Sequence, residues 1–474
     1  MDILQASGGT AATRWTSALF AAAIAALALL PGSASAIPAF NRQTGQNCVA
    51  CHAGGQFPEL TPYGRLFKMT GYTIGQRTIP ISGMAVASVS KVANTSKSDD
   101  PGADFQKNGS PILATASLLL GGKVTDNIGA FAQVTYDPYA TQAADGSFRG
   151  HTSADNIDLR FADRFIDSRT DLIVGVSANN NPSVSDPWNT AAAWMQYVPV
   201  PSPSSSRFID GASPYPGFGA GGNIAGLTAY AFWNKTIYAE IGGYGTSRGA
   251  LSFMSAGVAD ADTTKLRGVN PYWRLAYNRE WGAHSLMIGT SGMVAEVYDD
   301  PLDTSDPATT HRYTDLGIDA QYQYLLDPSA VTAQVVFTSN RHRYPTAGAS
   351  QPAPGTNAAD TTHLLRTKLS YVYQAKYGGS IGLFDLNGGS NPARITFDPT
   401  GDVSSAGQAD GNRTGSPATR GATLEAFWMP IQYLRIGVQY TAYSRFNGAA
   451  KNYDGFGRNA SDNNSLFIYT WLAY

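Results

Sequence analysis

The chain holds two cysteines, and they stand in the pentapeptide Cys48-Val49-Ala50-Cys51-His52. Cys-x-x-Cys-His is the spacing of a c-type haem attachment peptide. Two thiols so spaced reach the two vinyl groups of one haem as thioethers, and the imidazole that follows meets the iron from the proximal side. The competing uses of two cysteines in an exported protein are a structural disulfide and a thioredoxin-like redox pair. A redox pair wants a strand before it and a helix after it. Here a Gly45-Gln46-Asn47 turn precedes the motif, Ala53-Gly54-Gly55 ends it, and a histidine follows the second cysteine directly. The motif therefore reads as one covalently bound haem c, with Cys48, Cys51 and His52 binding it.

Two readings stand for Met69, which follows His52 by 17 residues. It supplies the distal iron ligand, which would raise the reduction potential relative to a second histidine. Alternatively, within Phe67-Lys68-Met69-Thr70, it packs a short helix onto the macrocycle. Met84, His151, His284, His311, His342 and His363 are scattered, and no spacing nominates any of them.

Turn signals end this segment near Pro80, leaving about 43 residues for it, too few to wrap a haem and bury a core as well. The remaining chain must supply the walls. Ahead of the segment, Arg14 precedes an apolar run, Ala18 to Leu30, and then Pro31-Gly32-Ser33-Ala34-Ser35-Ala36. That is the pattern of a secretory signal peptide, residues 1–36, with Ala34 and Ala36 at the cleavage site. The alternative, an uncleaved anchor, suffers from a run of 13 residues where a helical span needs about 20.

The composition fits walls made of strands. Among 474 residues only 14% are charged, 11% are aromatic and 50 are glycine, yet the mean hydropathy is −0.19. Apolar residues are thus spread by alternation, and beyond residue 36 no run of 18 or more exists. A net charge of −2 offers nothing to nucleic acid. From Ile81 onward about 16 segments alternate apolar and polar residues. Ile318, Ala320, Tyr322 and Tyr324 interleave with Asp319, Gln321 and Gln323. Leu434, Ile436, Val438 and Tyr440 interleave with Arg435 and Gln439. Connections alternate short (Asn234-Lys235, Gln374 to Lys376, Pro430-Ile431) with long ones of about 16 to more than 40 residues. Soluble sandwiches and propellers give no reason for that asymmetry, whereas an up-and-down barrel of the outer membrane has tight periplasmic turns and long outer loops. The expectation is an all-β, transmembrane barrel of about 16 strands over residues 81–474. Residues 37–80 form a small cytochrome segment entering from the periplasmic side. It either plugs the wide lumen or hangs below it.

Pro38-Ala39-Phe40-Asn41-Arg42-Gln43-Thr44-Gly45, the haem peptide, and Phe57-Pro58-Glu59-Leu60-Thr61-Pro62-Tyr63-Gly64-Arg65-Leu66-Phe67-Lys68 with Gly71-Tyr72 resemble the fused monohaem cytochrome–porin family, outer-membrane iron oxidases of Fe(II)-oxidising bacteria. Asn179-Asn180-Asn181-Pro182 and Asp186-Pro187-Trp188-Asn189-Thr190 are similar to a further segment of that family. The resemblance implies a porin-like barrel with the cytochrome inside. It also implies a flow of single electrons from extracellular Fe(II) through the haem to a soluble periplasmic cytochrome. At the position of Met69 the family often carries an aliphatic residue, which counts against a ligand role there.

Acidic loops are candidate attractors for the cation. Asp299, Asp300, Asp303 and Asp306 form the best group, and Asp260 and Asp262 a weaker one; ordinary loop solvation is the alternative for both. Two other functions stay open. One is a diffusion porin whose haem is a structural or sensory plug. The other is a conduit for a different donor, or for electrons moving outward.

Overall fold

An extended backbone puts successive side chains on opposite faces, so a stretch with one apolar and one polar face is satisfied as a strand between two different environments. The computed structural model describes residues 38–55, 59–94, 108–142, 148–190, 223–255, 265–352, 354, 356–391, 412–455 and 457–474. The chain divides into two units, Met1–Ala34 and Ser35–Tyr474, and all of these residues lie in the second. The signal peptide, Phe57-Pro58, Asp260 and Asp262 fall outside the described residues.

Sixteen strands follow in order: β1 (Ile81–Val92), β2 (Pro111–Lys123), β3 (Ile128–Gln142), β4 (Phe148–Ile166), β5 (Asp171–Asn179), β6 (Ile224–Trp233), β7 (Ile237–Thr246) and β8 (Asn270–Trp281), then β9 (His284–Tyr298), β10 (Thr310–Leu326), β11 (Ser329–Arg343), β12 (Ala359–Tyr373), β13 (Tyr377–Gly388), β14 (Thr419–Ile431), β15 (Leu434–Arg445) and β16 (Ser465–Ala473). Each pairs antiparallel with its neighbours in sequence, and β1 pairs with β16 from Met84↔Ala473 to Val92↔Ser465, closing a barrel. Closure leaves no edge strand unpaired. Every expected segment is a strand. The difference lies at β3 and β4, which run on until only residues 143–147 separate them, where a long loop was expected. At 15 and 19 residues both exceed the roughly 9–11 that cross a bilayer. Beyond the apolar band neither face has to be apolar, so the alternation that marks a strand is absent there.

The faces are inverted relative to a soluble protein. On β8, Trp273, Leu275 and Tyr277 are exposed while Arg274 and Asn278 are buried. Exposed Trp233, Trp281, Tyr373, Tyr377 and Trp428 stand near the short turns, as an interfacial aromatic girdle does. Two of these turns, Asn234-Lys235 (φ 48° and 53°) and Gln374-Ala375 (φ 55° and 51°), hold both central residues at positive φ, the hairpin geometry that matches strand twist. No helix among the described residues is long and apolar enough to cross a membrane.

Among the described residues, those before β1 include three short α-helices, α1 (Pro38–Thr44), α2 (Cys48–Cys51) and α3 (Pro62–Met69), and a further one, α4 (Pro182–Ser185), lies in the β5–β6 connection. α3 begins where it does because Pro62 suits the first helical turn and the Thr61 hydroxyl accepts from Gly64 N–H at 3.1 Å. These elements touch inward-facing positions around the barrel. Ala39 N–H donates to Ser82 on β1 at 3.0 Å and Tyr72 O–H to Asp158 on β4 at 2.6 Å. Arg65 donates to Ser285 on β9 at 2.6 Å and Gln323 on β10 at 2.9 Å. Lys368 on β12 reaches Glu59 at 2.9 Å.

Candidate cofactor site

α2 is a single turn, Cys48 to Cys51, closed by the His52 N–H donating to Cys48 O at 2.8 Å. Both thiols are free of any disulfide. Cys48 Sγ lies 3.1 Å from Gln432 Oε1, in the short β14–β15 turn. α3 packs directly on α2: Thr61 N–H donates to Cys51 O at 2.9 Å, and the Thr61 hydroxyl donates to Ala50 O. The approach is so close that a Cβ on Gly64 would stand 2.2 Å from Cys51 O. Only glycine fits there.

Cys48, Cys51 and His52 line one pocket with Phe40, Leu60, Phe67, Lys68, Tyr72, Phe131, Val184 and Asn189. Its aromatic wall is continuous: Phe40 meets Phe67 edge-on at 5.0 Å and stacks on Tyr72 at 5.5 Å. Burial holds the His52 imidazole down to about 4, against the pull of Glu59, so it is neutral at physiological pH and has a lone pair for a metal. Burial, then Cys48, pushes the Cys51 thiol up to about 11. Two thiols outside any disulfide, a neutral imidazole and an aromatic-walled, mainly apolar pocket are the kinds of group that could hold a haem c.

Met69 is placed elsewhere. It is not among the residues lining that cavity; it packs with Ile173, Trp188, Tyr230, Phe232, Tyr238 and Met287. Met69 thus packs toward the barrel interior and not on the wall of that pocket.

The described start of the β5–β6 connection adds Val184 and Asn189 to that lining. Asn181 caps α4 by accepting from Ser183 N–H at 2.9 Å, and residues 179–189 turn inward. Trp188 is 1% exposed, its ring between the guanidinium groups of Arg65 (6.0 Å) and Arg274 (5.7 Å). Arg274 holds the connection by pairing with Asp186 at 2.8 Å and with Asp319 on β10 at 2.8 Å. Lys68 donates to Asp186 O at 2.9 Å. Burial, reinforced by Arg160, lowers Lys68 to about 8, and burial lowers Arg65 to about 10. The sequence singled this segment out through its resemblance to the cytochrome–porin family and gave it no part in the site. Its signal was composition: a run of Asn, Ser, Pro and Trp with few charges inside a long connection.

The acidic group from 299 to 306 separates into two kinds. Asp300, Asp303 and Asp306 accept from Leu302, Ser305 and Ala308 N–H within their own turns, which is loop solvation and capping. Asp299 instead faces His311 Nε2 at 3.0 Å. His311 and His342, unremarkable in sequence, are neighbours because β10 and β11 fold about Asp327-Pro328 and pair Tyr313 with His342.

No family model matches the chain, and no curated protein matches it. Among solved structures it is similar to the outer membrane channel DcaP of Acinetobacter baumannii at 12% identity and a TM-score of 0.44, covering 83% of this chain and 96% of that one. Salmonella typhi OmpF in complex with daunomycin gives 12% and 0.44 over 83% and 97%. The anion-selective porin from Comamonas acidovorans gives 10% and 0.39 over 83% and 98%.

Proposed function

We propose that the chain is an electron-transfer protein of the bacterial outer membrane, taking single electrons from extracellular Fe(II) and passing them through one haem c to a soluble periplasmic cytochrome. In this reading residues 37–80 are a cytochrome segment that plugs a porin-like barrel. The observation that carries it is the cavity shared by Cys48, Cys51 and His52, bounded by a segment hydrogen-bonded to inward-facing strands. The outward apolar faces and the aromatic girdle support the membrane setting. The site lies toward the short-turn end, since Gln432 and Ala375, both in short turns, border α2 and Gly55. That end is the periplasmic one in barrels of this kind.

Within that scheme Cys48 and Cys51 bind the group as thioethers and His52 ligates its iron, while Phe40, Phe67 and Tyr72 exclude water. When bound, the haem supplies a one-electron carrier. Outer-sphere transfer needs no acid–base residue; the barrel keeps the metal ion outside while the electron passes. The alternative, a diffusion porin with a haem plug, predicts solute flux through reconstituted protein.

The test adds Fe(II) to intact cells or to proteoliposomes and follows haem absorbance. Reduction from the loop side, absent in Cys48→Ala/Cys51→Ala, is expected. A haem that dithionite reduces and Fe(II) leaves oxidised would overturn the proposal.

A further inference from the structure

At the long-loop end of the barrel, His311 Nδ1 and His342 Nε2 face each other at 2.8 Å. His311 Nε2 lies 3.0 Å from Asp299 Oδ1, and Asp299 is itself fixed by Ser350, whose N–H donates to Oδ2 at 2.9 Å and whose hydroxyl donates to Oδ1. His342 stacks on Tyr313 at 4.3 Å, 10° from parallel, with Tyr344 tilted against it at 4.3 Å. Both rings are therefore held, one by a carboxylate and the other by aromatic faces.

We propose that His311 and His342 form a binding site for a divalent first-row transition-metal cation, with Asp299 positioning His311. The geometry is close to what two imidazoles on one metal require. At metal–nitrogen distances of about 2.1 Å, two ligands at the tetrahedral angle of zinc stand about 3.4 Å apart, so the pair needs to open by about 0.6 Å from its 2.8 Å separation. With the His311 Nε2 proton donated to Asp299, Nδ1 presents its lone pair to the gap. The cation takes the place of the proton now between the rings, which moves to the other nitrogen of His342. A ligating histidine whose second N–H meets a carboxylate is the usual arrangement around protein-bound metals. The donor type selects the ion: imidazole suits zinc, copper, nickel and iron, whereas magnesium and calcium want oxygen. No group of three or more His, Cys, Asp or Glu able to hold a metal occurs among the described residues, so water completes the coordination. The site is thus exchangeable rather than structural.

It is also separate from the cavity around Cys48. His311 lies ten residues along β10 from Gln321, a partner of Arg65, or roughly 33 Å of strand. The proposal does not depend on a haem.

The test is calorimetric titration of the full-length protein in detergent with Zn²⁺, alongside Mg²⁺. One Zn²⁺ is expected to bind and Mg²⁺ not to compete. His311→Ala and His342→Ala should each abolish binding, and Asp299→Asn should weaken it about 10–100-fold. His284→Ala, at the opposite end of the barrel, should leave it unchanged. Cu²⁺ should give an electron paramagnetic resonance signal with coupling to two nitrogens. Circular dichroism checks folding; should His342→Ala lose its fold through the Tyr313 stack, Asp299→Asn, which leaves that stack intact, still decides. Zn²⁺ affinity that survives either histidine substitution in a folded protein, or is indifferent to Asp299→Asn, overturns the site.

Discussion

Gly64→Ala puts local preference and tertiary packing in direct opposition. Gly64 lies inside α3, where alanine is favoured over glycine by about 0.5–1 kcal/mol. An isolated helix would gain from the change. In the folded chain the new methyl would sit 2.2 Å from Cys51 O, against 3.4 Å or more for an ordinary contact. The carbonyl cannot retreat freely, because it accepts the Thr61 N–H at 2.9 Å, and Thr61 both caps α3 and donates to Ala50 O. Opening about 1.2 Å between α2 and α3 would loosen those bonds. Overpacking of this kind costs about 1–3 kcal/mol, so a net loss of about 1–2 kcal/mol is expected. It falls on the contact that sets Cys51 and His52 relative to the cavity. The measurement is haem content per protein by pyridine haemochrome after expression with a cytochrome maturation system, together with thermal loss of the visible circular dichroism. Gly389→Ala, where a Cβ meets nothing within 4 Å, is the control. A Gly64→Ala protein with full haem content and wild-type or raised thermal stability would refute the reasoning.

Further outcomes follow from the same packing. Lys68 ordinarily titrates near 10.5 and is held at about 8 by burial and by Arg160. Its cost is complete below pH 8 and disappears as pH rises toward 10.5, so unfolding free energy should climb by about 3 kcal/mol across that window; Lys68→Met should flatten the rise in urea titrations. Trp188→Ala empties the space among Met69, Phe232 and Tyr238, with an expected loss of about 3–5 kcal/mol, and should raise single-channel conductance in planar bilayers. Ala375→Gly removes a non-glycine residue from φ 51° and should stabilise the barrel by about 1 kcal/mol, seen as a higher urea midpoint.

What the sequence determined by itself is everything whose cause lies within a few residues. The period-two pattern marks each strand because each has a dry and a wet face. Paired positive-φ turns and short connections fix hairpins between neighbours, and these add up to a closed ring. The spacing of Cys48, Cys51 and His52 is a pattern readable without any fold, and the haem c it points to is the proposal made above. Prediction of strand ends weakens at Gln142 and Phe148 because the bilayer no longer imposes two faces there. Closure decided the rest. It brings Gln432 to Cys48 across 384 residues and sets Arg65 between strands more than 200 residues away. The fold of the β5–β6 connection turns Trp188 inward onto Met69, which a loop composition alone does not show. Nor does either histidine signal the other, since 31 residues separate His311 from His342 and only the β10–β11 register joins them. Contacts inside a lumen depend on strands far apart in sequence arriving at one axis, and no local pattern carries that information.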